Sequence, residues 1–81
     1  MEELMMKIEI LGTGCSRCKQ LHQNAMQAVL LDKLNAEVVK VEDIKQIIRY
    51  GVMSTPALVI DGQIKSVGRV PSVEEIRKLI V

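Results

Sequence analysis

The chain has no Phe and no Trp, and Tyr50 is its single aromatic residue. Its core must therefore be aliphatic, drawn from the 48% of its 81 residues that are hydrophobic. That length suits one small domain, expected to span residues 1–81, and is too short for two. The lack of rings also removes the platforms on which single-stranded nucleic acid stacks. Charge of one sign is lacking too, since 11 basic residues face 10 acidic ones. No basic field results, and nucleic acid is excluded as an expected partner.

Long apolar runs are missing as well. Stretches such as AVLL fall far short of the ~20 residues that a membrane span requires. The opening MEELMMKIEI carries acids where a secretion signal carries positive charge. The expectation is a soluble, cytoplasmic protein that does not engage a membrane. Cysteine is scarce: Cys15 and Cys18, within LGTGCSRCKQ, are the only two. Cytoplasmic thiols are normally kept reduced, so a permanent disulfide is a poor default for the pair. A bridge across so short a loop would also stabilise less than the ~3 kcal/mol expected of a fifteen-residue loop. The pair calls for a role other than stapling.

The pattern of what is present places that pair. Met5 to Leu11 alternates apolar residues around Lys7 and Glu9 and reads as a strand. Gly12, Thr13 and Gly14 make a tight loop. From Cys15 to about Asp32 the residues Cys18, Leu21, Ala25 and Val29 recur at helical steps. AEVVKV, from Ala36 to Val41, reads as a second strand. Asp43 caps a helix whose face is Ile44, Ile47 and Ile48, and Gly51 ends it. Pro56 opens ALVI, and Asp61-Gly62 then QIKSV give the signal of a type I′ hairpin. Ser72 and Glu75 have capping-box spacing before a last helix with Val73, Ile76, Leu79 and Ile80 on its buried stripe. The order is β-α-β-α-β-β-α. A right-handed parallel crossover followed by an antiparallel hairpin gives an α/β fold, a mixed four-stranded sheet with helices on both faces.

Cys15 and Cys18 thus fall where the first strand passes into the first helix. Unpaired amides and the helix dipole favour an anion there. Stabilisation of ~1 kcal/mol would bring a thiol about one pKa unit closer to neutrality, and the thiolate is the attacking species in disulfide exchange. The first turn carries Arg17 and Lys19 in place of the acids that usually stabilise it. Lys19 reads as a solvated surface charge. Arg17, between the two cysteines in sequence, is a candidate for tuning the thiol pKa, since local rules are most often broken at functional sites. Cys15, at the helix start, is the expected nucleophile. Cys18, one turn in on the Leu21 and Ala25 face, is the expected resolving thiol. Such a cycle needs no cofactor and no metal.

A C-x-x-C at a helix start within a β-α-β pattern resembles the thioredoxin and glutaredoxin superfamily. Ser54-Thr55-Pro56 before ALVI, and Gly68-Arg69 after the last strand, extend the resemblance over nearly the whole chain. In detail it is most similar to the small redox-active disulfide proteins of archaea and bacteria, which open with a strand leading into G-T-G-C-x-x-C. The resemblance implies a thioredoxin-like fold and protein disulfide reductase activity. It implies disulfide-containing protein substrates, a thioredoxin-reductase-like electron donor and a monomer. It makes Pro56 a cis-proline, Thr55 the residue whose backbone docks the substrate chain, and Gly68 the glycine that lets a partner backbone approach. Ser16-Arg17 stands where typical thioredoxins have Gly-Pro, and no Trp precedes Cys15. Glu9 lies six residues before Cys15, where thioredoxins carry a buried acid that relays a proton from the second cysteine. Two readings of Glu9 stand: that relay, which would make it a second pKa-tuning group, or a polar pair with Lys7 on a less covered sheet face.

The alternative function is metal binding or transfer through Cys15, Cys18 and His22, the last two four residues apart on one helical face. Structural zinc sites need four ligands, and no second Cys or His cluster supplies the fourth. A copper-chaperone fold also carries C-x-x-C in its first loop but ends in a strand, whereas this chain ends in a capped helix. The glycines of GTG lack the third glycine or the Gly-Lys-Ser/Thr of a phosphate loop.

Overall fold

Alternation in MKIEIL sends Ile8 and Ile10 to one side of the first strand and Glu9 and Leu11 to the other, and the two sides acquire different partners. The computed structural model describes residues 6–14 and 16–80. Its elements run β1 (Met6–Leu11), α1 (Ser16–Leu31), β2 (Ala36–Val41), α2 (Ile44–Arg49), β3 (Ala57–Ile60), β4 (Gln63–Val67) and α3 (Val73–Leu79). Met5 and Cys15, assigned above to the first strand and the first helix, lie outside the described residues.

The sheet order is β2-β1-β3-β4. β1 pairs parallel with β2 and antiparallel with β3, and β3 pairs antiparallel with β4. This is the mixed four-stranded sheet read from the sequence. On one face Ile8, Ile10, Leu58 and Ile60 pack with Leu21, Ala25 and Ala28 of α1 and with Ile76 of α3. On the other, Leu11, Val41, Ala57 and Val59 pack with Ile47 of α2, and Tyr50 and Val52 close over them. Helices therefore cover both faces.

Local chemistry accounts for the boundaries. The Asp43 carboxylate accepts from the Lys45 amide at the start of α2. Ser72 and Glu75 form a reciprocal capping box on α3. Asp61 and Gly62 both have positive φ, 51° and 82°, as a type I′ turn requires. Asn24 of α1 donates to the Pro71 carbonyl at 2.9 Å, and Arg77 of α3 meets Asp32 at 2.9 Å, so α3 is tied to the C-terminal half of α1 near both of its own ends.

Four details depart from the sequence expectation. On the α3 stripe Ile76 and Ile80 are buried and Val73 is half-buried, but Leu79 is exposed. The α1 stripe buries Ala28, with Val29 half-buried. Of the expected α2 face only Ile47 is buried, while Ile44 and Ile48 are 60% and 66% exposed, because a six-residue helix can lay down only one turn's contact. In the hairpin the register slips between Leu58 and Val59, Ser66 pairing with Leu58 and Ile64 with Val59, so Lys65 is the extra residue of a bulge.

Candidate dithiol site

The carboxyl end of β1 leads directly into Gly12, whose amide donates to the Val41 carbonyl at 3.0 Å and continues the β1–β2 ladder one residue beyond the strand. The chain turns through Thr13 and Gly14, the latter at φ +91°, and α1 begins at Ser16. No acidic residue occupies the first turn of α1. No carboxylate of that turn therefore offsets the positive end of the helix dipole.

Cys18 is 5% exposed and points back toward the sheet. A Cβ placed on Gly12 would stand 2.2 Å from Cys18 Sγ and 3.8 Å from Thr55 Cβ. Gly12 is thus the space that the thiol occupies, and Cys18, Gly12 and Thr55 meet at one point. The Thr55–Pro56 peptide bond is cis, and Pro56 is buried at the head of β3. Gly68, at φ +74°, donates its amide to the Pro56 carbonyl at 2.8 Å. Arg17 Nη2 in turn donates to the Gly68 carbonyl at 2.7 Å. A side chain at Gly68 would press on Ser54 Cβ at 3.2 Å. Three loops, 12–14, 54–56 and the turn at Gly68, are therefore held together at one end of the sheet. Of the residues singled out from the sequence, Arg17, Cys18, Thr55, Pro56 and Gly68 gather here. Cys15 precedes α1 in the chain but lies outside the described residues.

Glu9 sits elsewhere. It is 8% exposed and on the α2 side of β1, and its Oε1 accepts from the Tyr50 hydroxyl at 2.7 Å. That bond, burial and the nearby carboxylate charge all push the Tyr50 phenol above its ordinary pKa. Lys7 is exposed, so the two residues do not share one uncovered face. Tyr50 went unnoticed in the sequence as Glu9's partner, because nothing local links positions so far apart.

Sequence reasoning also passed over Lys40 and Glu42. Ile10 pairs with Lys40 across β1 and β2, and Ala36 and Val38 of the same β2 face pack on the α1 side. Alternation carries Lys40 and Glu42 to that side as well. With Ile10, Gly12, Gly14, Cys18 and Lys19 they line a cavity of about 20 Å³. Glu42 Oε2 lies 3.1 Å from a Cβ placed on Gly14, against the loop that precedes the dithiol. The period-two pattern of AEVVKVE was the signal that could have found them.

His22 is partly buried, and its imidazole pKa is lowered by burial and then by the charge of Lys40. Among the described residues no group of three metal-ligating side chains converges, so the metal reading finds no support there. Nor, among them, is any helix long and apolar enough to cross a membrane.

A buried cysteine one turn into the helix that follows β1, facing an X-Pro loop on a β2-β1-β3-β4 sheet, defines the thioredoxin-like class. Residues 6–81 match the family model for the thioredoxin domain. The chain is 45% identical over 76 residues to a protein of Methanothermobacter thermautotrophicus named thioredoxin, covering 94% of this chain and 99% of that protein. It is 41% identical over 78 residues to a thioredoxin of Methanocaldococcus jannaschii, covering 96% and 90% respectively. The chain belongs to the thioredoxin-domain family, whose general reaction is thiol–disulfide exchange.

Proposed function

We propose that this protein is a protein disulfide reductase in which Cys15 attacks and Cys18 resolves. The Cys15 thiolate attacks one sulfur of a substrate disulfide, that bond breaks, and a mixed disulfide forms. Cys18 then attacks the Cys15 sulfur, releasing the second substrate thiol and leaving Cys15 and Cys18 joined. The substrate gains two electrons and the protein loses two, to be restored by a dithiol donor such as a reductase. The observation that carries this reading is Cys18 itself: buried, in the hollow left by Gly12, and beside Thr55. A resolving thiol kept from solvent meets only a sulfur brought to it, which suits a second attack and not a first.

The other residues take supporting roles. Thr55, with Pro56, offers its backbone to an extended substrate segment, and Gly68 leaves room for that segment to approach. Arg17, bound to the Gly68 carbonyl, ties the helix start to that docking loop and sets positive charge near the dithiol. The bond from Tyr50 and the position on the α2 face favour a structural part for Glu9.

The test is a thiol count across a graded series of thiol–disulfide buffers, with the Cys15→Ser and Cys18→Ser variants alongside. The parent should behave as a single two-electron couple. Cys15→Ser should lose disulfide reduction, and Cys18→Ser should accumulate mixed disulfides with a protein substrate. Retention of activity by both variants would overturn the assignment.

A further inference from the structure

Resolution by Cys18 has a proton requirement. A buried thiol is a weak nucleophile until its proton has somewhere to go. The acid suggested by position in the sequence, Glu9, faces α2 and is bonded by Tyr50. The face of β1 that meets Cys18 carries Ile10 and then Gly12, and the carboxylate on that side is Glu42.

We propose that Glu42 accepts the Cys18 proton when Cys18 resolves the mixed disulfide. The inference rests on the dithiol reading above and adds to it the group that activates the second thiol. Two observations carry it. Cys18 and Glu42 line the same cavity, and its volume of about 20 Å³ exceeds the roughly 10–15 Å³ that one water needs. Glu42 is exposed, yet its Oε2 lies 3.1 Å from a Cβ placed on Gly14, so the carboxylate reaches the loop that precedes the dithiol.

The step balances. The Cys18 S–H bond breaks and its proton passes to the Glu42 carboxylate, directly or through a water in the cavity. The Cys18 sulfur bonds to the Cys15 sulfur as the bond from Cys15 to the substrate breaks. The substrate departs as a thiolate, and the proton on Glu42 passes to it, directly or by way of solvent. Glu42 is thus returned to its starting state.

The other charged groups on this side are Lys19 of α1 and Lys40 of β2, with His22 close enough to feel Lys40. Both lysines line the same cavity as Glu42 and Cys18. They add positive field and cannot themselves accept the proton while charged.

The experiment separates the two half-reactions. A mixed disulfide between a fluorescent peptide and Cys15 is formed in excess peptide disulfide, and peptide release is followed by stopped flow from about pH 5 to 9. The first attack is measured separately in the Cys18→Ser background. Glu42→Gln should slow release about a hundredfold, the lower range for a positioned proton acceptor. Its release rate should climb with pH throughout, where the parent levels off. Glu42→Asp should keep the parent's profile at a reduced rate. Because Glu42 is exposed, these variants are expected to fold, which far-ultraviolet circular dichroism verifies. Release from Glu42→Gln at the parent's rate, or slower release with an unchanged pH profile, overturns the inference and leaves the dithiol reading intact. If Cys18→Ser traps no mixed disulfide at all, the reading fails and the inference with it.

Discussion

The hydrogen bond from Tyr50 to Glu9 ties the end of α2 to the sheet, and its removal has a calculable consequence. Glu9 is 8% exposed, flanked in register by Val39 on β2 and Val59 on β3. Its Oε1 receives the Tyr50 hydroxyl at 2.7 Å. Tyr50→Phe keeps the ring and deletes only the donor. Hydrogen bonds to charged groups contribute roughly 1.5–3 kcal/mol, so the loss should be about 2 kcal/mol. In a domain of this size, each kcal/mol moves Tm by about 4–8 °C, giving a fall of about 10 °C. A double-mutant cycle with Glu9→Gln should return a coupling energy of about 1 kcal/mol or more. The chain's single aromatic makes a second assay clean, since phenolate absorbance reports on Tyr50 alone. Its pKa is raised in the folded state, by the Glu9 bond first and then by burial and charge. A raised folded pKa means the contribution is complete below the unfolded value of about 10 and is lost as pH climbs through the folded value. Stability should therefore drop on the alkaline side in the parent, and this alkaline limb should shrink when Glu9 is replaced. A Tyr50→Phe variant as stable as the parent, or a phenol that ionises as in a free peptide, would refute the reasoning.

Two further outcomes follow from the same side-chain geometry. Gly12→Ala puts a methyl group 2.2 Å from Cys18 Sγ, so either β1 or α1 must yield; overpacking of this kind costs about 1–3 kcal/mol, read by urea unfolding. The variant should also expose Cys18 and speed its alkylation, and an unchanged alkylation rate would show that the thiol does not occupy that space. For His22, burial and Lys40 lower the folded pKa from the ordinary imidazole value of 6.5. Its contribution is complete above the unfolded value and declines as pH falls through 6.5 toward the lower folded value. Lys40→Gln should raise the His22 pKa in an NMR titration, and no change would remove Lys40 as a cause.

Much of this architecture was legible because each element announces itself locally. Asp43, Ser72 with Glu75, and Asp61-Gly62 fix their ends by side chain-to-backbone bonds or by φ, within a few residues of sequence. The dithiol motif and the Thr55-Pro56 pair were equally local. What escaped depends on which strands become neighbours. Tyr50 meets Glu9 only because α2 packs over β1, a relation spanning 41 positions. Arg17 finds Gly68 across 51 positions, a bond between α1 and a distant turn that no local pattern announces. The Lys65 bulge arises from the register of a pair and leaves no mark in QIKSV.

The two acids near the dithiol show why spacing along one strand is weaker evidence than the face a residue occupies. Glu9 and Ile10 are adjacent in sequence, yet the pleat sends one toward α2 and the other toward Cys18. An acid at an odd offset from Gly12 is on the wrong side of β1 to share a cavity with the thiol, whatever its spacing from Cys15. Glu42 follows a different strand and shares a cavity with the thiol because parallel pairing sets Lys40 beside Ile10, and the chain then runs on past the end of β2. Filling the space between acid and thiol is consequently a test independent of neutralising the acid. Gly14 stands against Glu42, and Gly12 against Cys18, so a small residue at each position keeps acid and thiol on either side of one water-sized space. Filling that space with Gly12→Ala and neutralising it with Glu42→Gln should slow release of a mixed disulfide by different routes, the first at every pH and the second most strongly at low pH.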